Sequence, residues 1–325
     1  MLESRPTNIM FRVSIVVPCF NAARWVHGAI DSVLAQQSEA IELIAIDDGS
    51  TDGTAEVIAA DYPEVQLFRT ANRGPSAARN LGTSMAAGRF IQYLDADDLL
   101  ASGKLEAQIA ALENAPADVA YGDWQKLISS QDGSFRLGPV VRREIKGPAD
   151  VALFTNFWCP PAAYLFRREI VAQVGAWNMR LPIIQDARFA LDCALHGATF
   201  VHTPGVAAYY RTHQSGSVST RDPVAFVRDC QHNAAEVEQW WTVHGGIDEG
   251  RRNALLEVYG GAARASFEHD RPTFEAAWAA LKRLDPGYAP PSPRPLALVS
   301  RLAGYPAAEA LALRYRHVKR ALQLQ

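Results

Sequence analysis

The chain is short of several things. No stretch of its 325 residues approaches the ~18 uninterrupted apolar positions of a membrane span, and residues 1–12 lack the apolar core of a secretion signal. The expectation is a protein neither exported by that route nor crossing a membrane. There are only four cysteines, Cys19, Cys159, Cys193 and Cys230, and no C-x-x-C pair among them, which excludes the usual zinc and dithiol redox frameworks. They read as small buried or half-buried residues of a protein from a reducing, cytoplasmic setting. Excess positive charge is also missing. The net charge is -3, so no overall basic field draws nucleic acid, which is not an expected partner. No G-x-G-x-x-G follows the first apolar run, which argues against a dinucleotide-dependent dehydrogenase. No glycine-rich basic loop stands there either, as a nucleotidyltransferase would need, and no internal repeat is present.

What is there is ordinary for a globular enzyme: 48% hydrophobic and 21% charged residues, in a chain long enough for one large domain and an appendage. The β-branched run Val13-Ser14-Ile15-Val16-Val17, ended by Pro18, has the pattern of a parallel strand buried on both faces. Helical spacing follows over residues 22–37, then a second apolar run at 41–46, a strand at 65–68, a helix at 76–87 and a strand at 90–94. Strict alternation of this kind predicts right-handed crossovers and a parallel sheet. A further strand is expected over 119–124, and beyond Asp222 the chain reads as helix over 224–243 and 251–284. Residues 285–295 are too proline-rich for helix and read as a linker. The expected division is 1–221, with halves at about 12–100 and 101–221, followed by a helical region over 222–325.

In open α/β sheets ligands bind beyond the carboxyl ends of the strands. Polar clusters fall at three such ends: Pro18 to Asn21, Asp47 to Asp52, and Asp95 to Asp98. In Asp95-Ala96-Asp97-Asp98, carboxylates one residue apart can face one cavity. Hard divalent cations take such oxygens, with substrate phosphates and water completing the shell. The alternative for an isolated D-x-D is a turn or helix cap. Asp47 or Asp48 could accept a hydrogen bond from a nucleobase imide or ribose hydroxyl, or cap the helix starting near Thr54. Arg73 and Arg79, in a loop entering a helix, suit a diphosphate or an ion pair.

Four stretches occur in order: Val13-Ser14-Ile15-Val16-Val17-Pro18-Cys19-Phe20-Asn21, Asp47-Asp48-Gly49-Ser50-Thr51-Asp52, Asn72-Arg73-Gly74 with Ala78-Arg79-Asn80, and Asp95-Ala96-Asp97-Asp98. Together they resemble family 2 of the GT-A-fold glycosyltransferases over about residues 12–100, and more loosely to about 219. The resemblance implies an α/β fold of GT-A type, a mostly parallel central sheet flanked by helices, here with a helical C-terminal extension. It implies an inverting transferase using Mg²⁺ or Mn²⁺, a nucleotide-diphospho-sugar donor with a UDP-sugar favoured, and a glycan or lipid-linked acceptor. Building of bacterial surface polysaccharide is the implied role. Carried over residue by residue, it places Asp48 on the base, with Pro18 and Phe20 walling the nucleotide pocket and Asn21 and Asp47 beside them. It makes Asp97 the principal metal ligand and sets Asp95 near the ribose or metal, with Ala96 between the two. Asp186 matches the family's catalytic base, and Gln185 stands where glutamate is commoner, which bears on the acceptor pocket. Tyr209-Tyr210-Arg211-Thr212-His213 resembles the family's later Tyr-Arg-x-His segment, whose Arg211 and His213 would close over the diphosphate. His196 and His202, set among apolar residues, read as packed or surface histidines. The alternative of another class is a catalytically silent nucleotide-sugar-binding or scaffold protein of the same fold, against which Asp97 and Asp186 speak.

After Pro286 the basic residues Arg294, Arg301, Arg314, Arg316, Lys319 and Arg320 face a single acid, Glu309. With leucines interleaved, this tail either packs as ordinary helix, the plainer reading, or makes a peripheral contact with an anionic membrane surface, which would put the enzyme at the inner face of the membrane.

Overall fold

The first β-branched run forms β1 (Val13–Cys19), buried on both faces and central to the sheet. It pairs in parallel with β2 (Ile41–Asp47) on one side and β4 (Phe90–Tyr93) on the other, and β3 (Gln66–Arg69) lies parallel beyond β2. The strand runs one residue past Pro18, where it was expected to stop. Along a parallel strand successive residues turn their N–H groups to opposite neighbours, and Pro18 turns toward β4, whose last partner on β1 is Val16. The missing N–H therefore breaks no ladder bond. Crossovers α1 (Val26–Leu34), α2 (Thr54–Asp61) and α3 (Pro75–Met85) complete the alternation. A Cβ at Gly82 would lie 2.4 Å from the Val16 side chain, so a glycine there lets α3 rest directly on β1.

This computed structural model describes residues 12–36, 40–129, 135–212 and 218–323. The chain falls into two compact units, Met1–Ser217 and Val218–Gln325. In the first, β5 (Leu99–Leu100), α4 (Lys104–Asn114), β6 (Val119–Ser129), β7 (Phe135–Val141), α5 (Ala149–Thr155), β8 (Tyr164–Arg167), α6 (Arg168–Val174), α7 (Gln185–Leu195) and β9 (Phe200–Thr212) follow. Among the described residues the sheet has nine strands in the order β3-β2-β1-β4-β8-β6-β9-β5, with β7 paired to β6. The half up to β4 is parallel. Beyond it β8 runs antiparallel to β4 and β6, and β9 runs parallel to β6. The pairing of β5 with β9, Leu99 opposite Tyr209, carries the late Tyr-Arg segment to the acidic loop between β4 and β5. Behind that loop Trp177 stacks on Phe189 at 4.2 Å, and Tyr93 meets both rings edge-on.

The second unit is helical: α8 (Val218–Arg221), α9 (Pro223–Val243), α10 (Glu249–Ser266), α11 (Arg271–Leu284), α12 (Arg294–Ala303) and α13 (Tyr305–Gln323). The single helix expected over 251–284 is two. Asp270 caps the second by accepting from Thr273 N at 3.3 Å, and Pro272 brings a residue without N–H into its first turn. Asp222 and Asp248 cap α9 and α10 in the same way. The proline-rich segment before α12 has no regular structure, yet its Tyr288 is buried beside Gly260 and Tyr305. A groove of ≈ 370 Å³ between α9, α10 and α11 has Tyr259, Glu238 and Arg283 in its wall, and these three neutralise one another by hydrogen bonds. Among the described residues no helix is long and apolar enough to cross a membrane.

Candidate active site

The loops beyond β1 and β2 are latched together. Asn21 holds a left-handed backbone, φ 49°, and its side-chain oxygen accepts from Thr51 N at 2.9 Å, while its own N–H donates to Ser50 Oγ. Ala22 N donates to Thr54 Oγ1 and Ala23 N to Asp52 Oδ2. Gly49, at φ 77°, makes the turn, and a Cβ there would lie 2.8 Å from Asn72 N. Asp48 is buried and serves the next loop: Oδ1 accepts from Arg73 N at 2.9 Å and Thr70 Oγ1 at 3.3 Å, and Oδ2 accepts from Gly74 N at 2.8 Å. A carboxylate oxygen has two lone pairs, so Oδ2 retains one. Asp47 accepts from Ser50 N at 3.3 Å. Between these loops Phe20 is 52% exposed, a large apolar side chain left open at the strand end. Arg73 is exposed on the same loop system.

The acidic loop is held from beneath. Asp98 is buried and accepts from Arg211 N at 2.8 Å, and Arg211 Nε donates to the Asp97 carbonyl at 2.6 Å. The Arg211 guanidinium lies over Phe135 at 4.2 Å and Trp25 at 4.7 Å. Ala96 is buried between its neighbours, and Asp95 and Asp97 stay partly open. Arg79, 1% exposed, reaches from α3 to Asp95 and to Gln185 at the start of α7, and lies flat on Trp177 at 4.4 Å. One side chain therefore ties the acidic loop to the helix start that carries Asp186. The Trp158 indole Nε1 donates to Asp186 Oδ2 at 2.9 Å, and Trp158, Trp124 and Tyr210 form an edge-to-face trio with centroids 5.4 to 5.7 Å apart.

Burial lifts the Asp95 carboxyl above the usual range; Arg79 opposes this, and the charges of Asp97 and Asp186 add to it. Asp98 is lifted further by burial and then by Asp97 and Asp95. The Tyr210 phenol is raised by burial and by the charges of Asp98, Asp186, Asp95 and Asp97. Electrostatic coupling of this kind acts at short range, so these carboxylates and Tyr210 lie near one another.

Neighbouring carboxylates suit a hard divalent cation, and the oxygen donors of Asp97 and Asp95 are the type that Mg²⁺ or Mn²⁺ takes. Among the described residues no three His, Cys, Asp or Glu side chains converge on a point that could hold an ion by themselves. The rest of a coordination shell would have to come from bound phosphates and water.

Of the residues singled out in the sequence, Asp95, Asp97, Asp186, Arg79 and Arg211 come together, while Pro18, Phe20, Asn21, Asp47, Asp48 and Arg73 form the adjoining loop system. Two arginines differ from the simple picture: Arg79 and Arg211 are buried in structural bonds. His213 lies outside the described residues. His202 bonds Asp123 at 2.9 Å and His196 bonds the Asp192 carbonyl, both as packed partners. Trp158, Trp124 and Tyr210 as a group escaped the sequence reading, because Trp158 sits in an irregular stretch before Pro160 where no periodicity orients it.

The α/β fold has counterparts among solved structures. S. aureus TarS residues 1–349 in complex with UDP-GlcNAc superposes with a TM-score of 0.66 at 17% identity, over 94% of this chain and 92% of that one. The mannosyltransferase PcManGT from Pyrobaculum calidifontis, in complex with GDP-Man and Mn²⁺, gives 0.55 at 19% identity, over 95% and 90%. The fold is thus that of the GT-A glycosyltransferases. Residues 14–175 match the family model Glycosyl transferase family 2. A PGL/p-HBAD biosynthesis glycosyltransferase of Mycobacterium tuberculosis is 29% identical over 186 residues, 55% of this chain and 68% of that protein. A glycosyltransferase of Rickettsia felis is 38% identical over 118 residues, 36% of this chain, and the chain spans only 20% of that relative's length. The chain belongs to glycosyltransferase family 2.

Proposed function

We propose that the protein transfers a sugar from a nucleotide-diphosphate donor, a UDP-sugar foremost, to an acceptor hydroxyl with inversion at the anomeric carbon. The observation that carries this is the Arg79 bridge from Asp95 to Gln185, which brings the acidic loop after β4 to the first turn of α7 and Asp186. In this reading Phe20 and Pro18 wall the base, and the spare lone pair of Asp48 Oδ2 accepts its imide N–H. Asn21 and Asp47 keep the base loop in shape, and Arg73 faces the diphosphate. Arg211 supports the acidic loop from below, and His213 belongs to the same closing segment. Asp97, with Asp95, would hold a Mg²⁺ or Mn²⁺ ion, which supplies neutralisation of the charge that gathers on a departing diphosphate.

On the opposite side Asp186 takes the proton of the acceptor hydroxyl as its oxygen bonds to the anomeric carbon, and the bond from that carbon to the diphosphate oxygen breaks. Trp158 keeps the Asp186 carboxylate oriented. The acceptor is a glycan or lipid-linked hydroxyl, consistent with polysaccharide or glycolipid assembly. The relatives' names and the complexes of the structural neighbours with UDP-GlcNAc and with GDP-Man and Mn²⁺ support the donor class.

The test is a thermal-shift series of nucleoside diphosphates with and without Mn²⁺, followed by transfer assays. A ligand at 100 times its Kd raises stability by about 2.7 kcal/mol. Asp97→Ala is expected to abolish the metal-dependent shift, and Asp186→Asn to keep the shift and lose transfer. No shift with any nucleotide, or full transfer by Asp186→Asn, overturns the reading.

A further inference from the structure

We infer that the last two helices form a docking surface for an anionic lipid bilayer, independent of the sugar-transfer site. The argument starts from helix geometry: at 3.6 residues per turn, successive side chains stand about 100° apart. On α13, Leu311, Tyr315, Val318 and Leu322 then fall within about 60° of one another. All four are between 55% and 68% exposed, so the stripe is open along the helix. Arg314 lies about 40° to one side of it and Lys319 about 40° to the other, and both are exposed. The opposite face is covered: Glu309 is buried, and Leu313 and Arg316 are half-buried.

The preceding α12 repeats the arrangement. Leu296 and Ser300 are buried, while Leu298 and Leu302 are exposed, with Arg294 and Arg301 beside them on the outer face. Two of the three leucines of α12 are therefore on its surface.

Charge chooses the occupant. From Arg294 to the end of α13 the only acid is Glu309, which is buried and bonded to Arg316 at 2.9 Å. Every other charged side chain there is basic. A second copy of the stripe would set Arg314 and Lys319 against their own kind in either direction, with no carboxylate to meet them. Anionic headgroups above an acyl boundary match both parts: leucines and the tyrosine enter the boundary, and the basic borders meet phosphate. Among the described residues no helix is long and apolar enough to be a span, so the proposed contact lies on the membrane.

The experiment is co-sedimentation of the full chain with vesicles of phosphatidylcholine alone and of phosphatidylcholine with 30% phosphatidylglycerol, at low and high salt. Binding is expected to the anionic vesicles, with little to the neutral ones, and to weaken in high salt. Arg314→Glu/Lys319→Glu should lower the bound fraction constant at least about tenfold. Leu311→Gln/Leu322→Gln, which keeps every charge, should lower it as well, and circular dichroism confirms that both variants remain folded. Equal binding to neutral vesicles, or no effect of either folded variant, overturns the inference. So does absence of binding, and concentration-dependent self-association that Leu311→Gln/Leu322→Gln abolishes would then identify a second copy as the occupant.

Discussion

The indole N–H of Trp158 points at Asp186 and donates to its Oδ2 at 2.9 Å. A hydrogen bond to a charged acceptor contributes about 1.5–3 kcal/mol, and it also fixes which oxygen faces the acceptor. Trp158→Phe keeps the aromatic trio and removes the donor. The expected result is a fall in kcat of about tenfold or more with donor KM unchanged. A change in donor KM alone would place Trp158 on the nucleotide side instead.

Arg79 is the bridge between the acidic loop and the start of α7, joined to Asp95 and to Gln185. Lysine has the charge without the planar fork, so Arg79→Lys can satisfy one partner and not both. Transfer is expected to drop about tenfold or more, with a loss of stability of about 1–3 kcal/mol measured by chemical denaturation. Retention of wild-type kcat would show that the bridge does not position Asp186.

Asp48 holds residues 70–74 through two backbone amides and a hydroxyl. Asp48→Ala leaves those amides without their acceptor, at a cost of about 1–3 kcal/mol. The melting temperature should fall, and nucleoside-diphosphate affinity should fall with it, since Arg73 sits on the released loop. Isothermal titration with UDP at a temperature where the variant is folded separates the two effects.

Asp270 gives a prediction in pH. Burial works against its charge, and hydrogen bonds from Arg228 and Thr273 overcome this, leaving the carboxyl below its usual range. A carboxylate with a depressed folded value contributes fully above the unfolded value near ~3.9, and loses that contribution as pH falls through the folded one. At pH 7, Asp270→Ala should therefore destabilise the protein by about 1–2 kcal/mol as a lost helix cap. The gap between variant and wild type should close as pH falls below ~4. A gap independent of pH would remove the Arg228 pairing from the account.

Much of the first hundred residues could be read directly, because each chemical motif there sits at the end of a strand whose partners are its neighbours in the chain. The alternation of buried runs and helices gives β1 to β4 within a residue or two. Where sequence reading went astray the cause was local competition: Pro18 stays in its strand because the ladder on that side has already ended, and Asp270 with Pro272 splits a helical pattern that runs unbroken in hydrophobic spacing.

The rest depended on contacts between residues far apart. Arg79 meets Gln185 across 106 positions, and Arg211 meets Asp98 across 113. Spacing in sequence carries no information about such pairs; they follow from the order of strands, above all from β9 returning between β6 and β5. The same holds for Trp158 and Asp186, which meet only once the first turn of α7 packs against the segment before β8.

The amino-acid order by itself determined where acidic and polar groups stand along the chain, since periodicity and turn chemistry are local properties. Only tertiary structure decided that Arg79 and Arg211 are buried supports of the acidic loop, because burial and hydrogen-bond partners are set by packing across the whole sheet. It also decided that the apolar stripe of α13 faces outward, since a helix's own pattern says which residues share a face and not what that face will meet.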